Sequence, residues 1–174
     1  MYYRIMGNAE NFANFLPKNY TMEMAQKFDG RSLAEGWEPL HFELVDPDDN
    51  RPLSEIITGY IPICNTRVYE AVRDMCEGVV EFLPCTLGRE KHEYFVFNIL
   101  GTKDSVDYER SVYYRFPSSG KIMFFKTIVL KNDITDPMFR IVDLPYTYFF
   151  CTENFKTILE QMDVKGVTFS AELF

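Results

Sequence analysis

Histidine is almost missing from this sequence: His41 and His92 are the only two, and they stand far apart. Its four cysteines, Cys64, Cys76, Cys85 and Cys151, contain no Cys-x-x-Cys pair. A metal site needs clustered His, Cys or carboxylate ligands at coordinating spacing, so none is expected. Cofactor motifs are lacking too. Ser118-Ser119-Gly120-Lys121 has neither the upstream glycine nor the following Ser or Thr of a phosphate loop, and Lys121 opens a strand candidate instead of a helix. Gly30-Arg31-Ser32-Leu33-Ala34 begins like a nucleophile elbow but lacks the second glycine and the preceding strand. No apolar run approaches the ~18 residues of a membrane span. Met1–Ile5 reads MYYRI with no apolar h-region behind it, so no secretory signal is expected. Positive charge is scarce: 18 Lys and Arg against 26 Asp and Glu leave a net charge of −8. That balance argues against nucleic acid, whose phosphates call for a basic patch, and against an anionic membrane surface. The expected setting is the cytoplasm, with free and mostly buried thiols.

What the chain does have is apolar and aromatic weight. Of its 174 residues 47% are hydrophobic, including 16 Phe and 11 Tyr, a composition that favours strands and large contact surfaces. This length fits one domain over residues 1–174. If it divides into two lobes, the break falls near 86–92. A globule of this size buries roughly 70% of the surface its unfolded chain exposes.

One stretch organises the rest. Ile63–Phe82, ICNTRVYEAVRDMCEGVVEF, returns without a gap 87 positions later as Phe150–Phe169, FCTENFKTILEQMDVKGVTF. Cys64, Met75, Val80 and Phe82 recur as Cys151, Met162, Val167 and Phe169. Asn65 and Thr152 stand at matching places, and both residue types cap helix N-termini through a side-chain oxygen. Val68, Ala71, Val72 and Met75 correspond to Phe155, Ile158, Leu159 and Met162, one apolar stripe per helix at 3–4 spacing. Burying four such side chains is worth roughly 6–12 kcal/mol gross. Each copy therefore reads as strand, helix, strand.

Around these units lie further strands at Tyr2–Ile5, Leu40–Val45, Tyr94–Leu100, Ser111–Phe116, Lys121–Leu130, Met138–Val142 and Tyr146–Cys151. Residues 8–36 read as loop with one helical turn near Met22–Lys27, and Asp46-Pro47-Asp48-Asp49-Asn50 is a turn. Pro39, Pro62, Pro84 and Pro145 suit strand ends or edges. About nine strands against two helices give an α+β fold, a mainly antiparallel twisted sheet with both helices on one face.

Three sets of residues invite a functional reading. Cys64 and Cys151 stand just before helix N-termini, where the positive end of the helix dipole can activate a thiol; their matched places between apolar neighbours read better as core positions. Asp46, Asp48 and Asp49, with Asp104, Asp107 and Glu109, sit in turns as solvated acids and fit the rim of a site for a basic partner. Trp37, the single tryptophan, is either a packing residue or an interface anchor, with packing the better fit.

An ordered set of short motifs then extends over nearly the whole chain: Tyr2-Tyr3-Arg4-Ile5, Trp37-x-Pro39, Cys64-x-Thr66, and Gly78-Val79-Val80-Glu81-Phe82-Leu83-Pro84. Tyr94-x-x-x-Asn98, Val106-Asp107, Phe139-Arg140-Ile141 and Gly166-Val167-x-Phe169 follow in order. The chain resembles the bacterial polymorphic-toxin immunity proteins numbered family eleven. It departs from their pattern just ahead of the first unit, where Ser54-Glu55-Ile56-Ile57 stands in place of an Asp-Phe pair. The resemblance implies a cytoplasmic protein, without cofactor or catalytic residues, that binds a cognate protein toxin encoded by a neighbouring gene and neutralises it by occlusion. An acidic chain suits a basic toxin. Two other readings stand beside it: a structural or scaffold module with a non-toxin partner, and a cysteine-dependent enzyme.

Overall fold

The two copies of the repeated unit begin their elements at matching positions. The computed structural model describes residues 1–171. In chain order it holds β1 (Tyr2–Gly7), β2 (Phe15–Pro17), α1 (Met22–Gln26), β3 (Leu40–Leu44), β4 (Ile56–Ile57), β5 (Ile63–Asn65), α2 (Thr66–Val72) and β6 (Val80–Leu87). Then follow β7 (His92–Ile99), β8 (Val112–Arg115), β9 (Ile122–Thr127), β10 (Met138–Phe139), β11 (Phe150–Thr152), α3 (Glu153–Gln161) and β12 (Val167–Ser170). The fold is α+β and mainly antiparallel, as expected. It has two main sheets and a separate β8–β9 ribbon where a single helix-covered sheet is expected.

The pairing explains the second sheet. β7 lies antiparallel between β5 and β6, so those two strands run parallel to each other with α2 as their crossover. β1 lies in the same way between β11 and β12, with α3 as the crossover. Each unit thus splits around a borrowed strand, and the strand comes from opposite ends of the chain order: β7 follows its unit, β1 precedes its own. The borrowed strands match in register. Phe95 faces Cys64 where Tyr3 faces Cys151, and Phe97 faces Phe82 where Ile5 faces Phe169.

The sheets read β2-β3-β6-β7-β5-β4 and β10-β11-β1-β12. Between them lies a shared core of Tyr3, Ile5, Cys64, Phe95, Phe97 and Cys151 that receives Val68 and Val72 of α2 and Phe155 and Leu159 of α3. Ala71 is exposed, so α2 buries a narrower stripe than the sequence pattern implies. A second cluster covers the other face of the six-stranded sheet, where Ile63, Leu83, Tyr94 and Val96 meet Phe15, Ala25 and Phe28. On the far side of the four-stranded sheet, Phe139 and Phe150 meet Ile122 and Phe125 in a third cluster. Burial on both faces is why Tyr94–Phe97 of β7 are apolar without alternation.

Pro84 lies inside β6 rather than at its end. A proline there has no N–H to give, and β3 joins β6 only from Cys85 onward, so Pro84 stands at a local edge. The Trp37 indole N–H donates to the Pro84 carbonyl at 2.8 Å, taking the position a neighbouring strand would hold. Residues 88–91, within the stretch where a lobe break falls by sequence, turn β6 directly into β7.

Candidate protein-binding surface

Among the described residues β8 and β9 pair with each other and with no other strand. The ribbon rests on the third cluster through Tyr113, Ile122 and Phe125. Its base is fastened firmly. The Asp107 N–H donates to Val129 O at 2.8 Å, the Lys131 N–H to Ser105 O at 2.8 Å, and the Val129 N–H to Ser111 Oγ at 2.9 Å. The Tyr108 hydroxyl donates to Asp143 at 2.5 Å, and burial, with that bond second, pushes the phenol up. At the tip, the Phe116 N–H donates to Lys121 O at 2.9 Å, while Gly120 adopts a φ of 69° that favours glycine.

Alternation along β9 is broken twice. Tyr113 faces Phe125 and Tyr114 faces Phe124, but Val112 faces Thr127 and Arg115 faces Ile122. Lys126 and Met123 are therefore extra residues without a partner, as in β-bulges. These bulges let Ile122 and Phe125 point inward while Met123 and Phe124 both point out. The outcome is a band of Val112, Tyr114, Phe116, Met123 and Phe124, each between 38% and 50% exposed. Five of the twelve most exposed large apolar side chains among the described residues thus fall within this one hairpin. Tyr114 and Phe124 stack at 4.7 Å, forming an aromatic pair in the middle. Arg115 is fixed over the Tyr113 ring at 5.0 Å and donates to Gly120 O at 2.6 Å. Exposed apolar side chains gathered on one hairpin around an aromatic pair are characteristic of protein interfaces.

The six acids singled out from the sequence fall into two groups with different surroundings. Asp46 and Asp48 are exposed in the turn after β3, where the Asp48 N–H donates to Asp46. Asp49 is occupied: Arg51 binds it at 2.7 and 2.9 Å and holds its carboxyl down to about 2. Arg51 also donates to Ala9 O and Glu10 O, so this pair ties the turn to the segment after β1. Asp107 receives the Arg110 N–H at 3.2 Å and closes the turn leading into β8. Asp104 and Glu109 are exposed beside the base of the hairpin.

The thiols are placed differently from a reactive pair. All four are free and buried. Burial pushes Cys64 and Cys151 well up despite their positions before helix N-termini, and raises Cys76 and Cys85 to about 12. A thiol held protonated in apolar surroundings is a poor nucleophile. Trp37 packs edge-on against Phe28 as part of the second cluster. His41 contacts Thr86 Oγ1 at 2.9 Å, and His92 lies 3.1 Å from Glu90. Among the described residues no three His, Cys, Asp or Glu side chains gather as metal ligands would, and no helix is long and apolar enough to cross a membrane. A groove of about 350 Å³ between β1 and residues 146–149 offers Arg4, Tyr60 and Tyr146 but no carboxylate, His or Cys.

Glu55, which stands where an Asp-Phe pair is expected from the resemblance, joins the two units. It binds Arg67 at 2.7 Å and accepts the Lys165 N–H at 2.8 Å, while Arg67 reaches Met162 O at 2.5 Å.

The strands of the hairpin are legible in the sequence; its outward face is not. Ordinary alternation turns one member of Tyr113-Tyr114 and one of Phe124-Phe125 outward, and the bulge at Met123 adds that residue to the exposed side, which no local sequence signal announces. Comparison with known proteins adds no assignment: no family model and no curated protein sequence matches the chain.

Proposed function

We propose that this chain is an immunity protein: a cytoplasmic binding protein that neutralises a cognate toxin, encoded beside its own gene, by covering it. The observation that carries this reading is the exposed aromatic band of Val112, Tyr114, Phe116, Met123 and Phe124 on a firmly anchored hairpin. It joins the ordered motifs of the sequence, which resemble toxin-immunity proteins from Tyr2 to Phe169. An occluding protein needs a preorganised surface rather than a reactive group, because rigidity lowers the entropy lost on association. The stacked Tyr114–Phe124 pair, the Arg115 contacts and the fastened base supply that rigidity.

Co-expression tests it. The wild-type chain rescues cells from the product of the neighbouring toxin gene, whereas Tyr114→Ser/Phe124→Ser folds normally and loses the rescue. Failure of the wild-type chain to protect would overturn the reading. A neighbourhood with no toxin gene would favour a scaffold module using the same hairpin.

A further inference from the structure

The charge of the hairpin runs against that of the molecule. Residues 110–131 contain Arg110, Arg115, Lys121, Lys126 and Lys131 and not one Asp or Glu, a local charge of +5. With −8 over the whole chain, the remaining residues carry −13. At the base, Arg110 lies 3.8 Å from Asp107. Farther out, Arg115, Lys121 and Lys126 are exposed, and among the described residues no carboxylate pairs with any of them.

Resting on the reading above, we propose that the toxin face covered by this hairpin is apolar at its centre and acidic around it, in contrast to the basic partner that the overall charge implies. The exposed centre, Tyr114 stacked on Phe124, supplies area that gains from desolvation. The cations flanking it sit where rim charges set encounter rate and orientation. Arg115 is engaged by Gly120 O and the Tyr113 ring, which leaves Lys121 and Lys126 as the exposed cations to meet carboxylates. A cationic toxin face would be steered to the rest of this molecule and repelled from the ribbon. Homotypic pairing of two hairpins sets Arg115, Lys121 and Lys126 of one copy against the same cations of the other, which disfavours self-pairing through the apolar band.

The experiment measures association and dissociation rates of the full chain with the toxin domain encoded beside its gene, between about 50 and 300 mM salt. Lys121→Glu/Lys126→Glu is expected to slow association by about tenfold or more at low salt and to flatten the salt dependence. Lys91→Glu, on the β6–β7 turn, serves as the charge control and is expected to stay within about twofold of wild type. Faster association by the double reversal would show a basic toxin face and overturn the inference. So would unchanged rates for the double reversal together with weakened binding by Asp48→Lys, which would move the contact to the acidic turn. Absence of any complex with the wild-type chain would bring down the immunity reading itself, a different outcome from either of these.

Discussion

Arg140 is fully buried, and burial lowers its pKa to about 10, against an ordinary value of 12.5. It donates to the Phe28 carbonyl and lies over the Phe149 ring, joining the layer that carries α1 to the four-stranded sheet. A base whose folded pKa is depressed costs stability at all pH values below that pKa, here about 3 kcal/mol at neutral pH, and the cost fades as pH rises from 10 toward 12.5. Arg140→Met, which keeps the volume and removes the charge, is expected to stabilise the fold by roughly 1–3 kcal/mol in urea unfolding; a loss of stability would mean that the guanidinium is well compensated. Asp49 shows the opposite sign. Its hydrogen bonds from Arg51 depress the carboxyl from 3.8 to about 2, so their contribution is complete above the ordinary value and disappears as pH falls through the window between them. Asp49→Asn should therefore lower the melting temperature at neutral pH and shrink the difference between wild type and variant as pH falls toward about 2. Two glycines separate backbone strain from steric overlap. Gly78 and Gly166 both have positive φ, but a Cβ at Gly78 meets open space whereas one at Gly166 lies 2.2 Å from Ser54 Oγ. Gly78→Ala should cost about 1 kcal/mol and Gly166→Ala about 2–4 kcal/mol. Equal costs would show that Ser54 moves aside freely.

At the scale of elements, the repeated unit is the part of the fold most legible from sequence, because helix stripes, caps and offset agree at several positions. Its two caps nevertheless differ. Asn65 Oδ1 accepts the Val68 N–H at 3.0 Å, while Thr152 makes no such bond. Asn65→Ala should destabilise by about 1 kcal/mol, with Thr152→Ala well below that in the same chemical unfolding assay. Matching losses would show that both caps work alike in solution. The elements hidden from sequence reading are hidden for physical reasons. β2 is three residues long and ends in Pro17, so no alternation can develop, and Pro84 looks like a strand end until the register shows β3 starting one residue later. The borrowed strands are likewise invisible locally: nothing within Tyr2–Gly7 announces that it inserts between residues 150–152 and 167–170. A +5 stretch free of acids within a −8 chain sets the hairpin segment apart in the sequence, and averaging charge over the whole molecule conceals it.

For the molecule as a whole, the two main sheets with α2 and α3 enclose a shared core, and an outer ribbon carries five of the twelve exposed large apolar side chains among the described residues. That division fits a protein that acts by covering another, with the acidic remainder keeping copies apart in solution. Hydrogen–deuterium exchange of the full chain, alone and saturated with the product of the neighbouring gene, tests this most directly. The account predicts new protection across residues 111–128, strongest at the exposed strand edges around Tyr114 and Phe124. Protection confined to residues 46–50, with the hairpin exchanging as it does in the free protein, would contradict it.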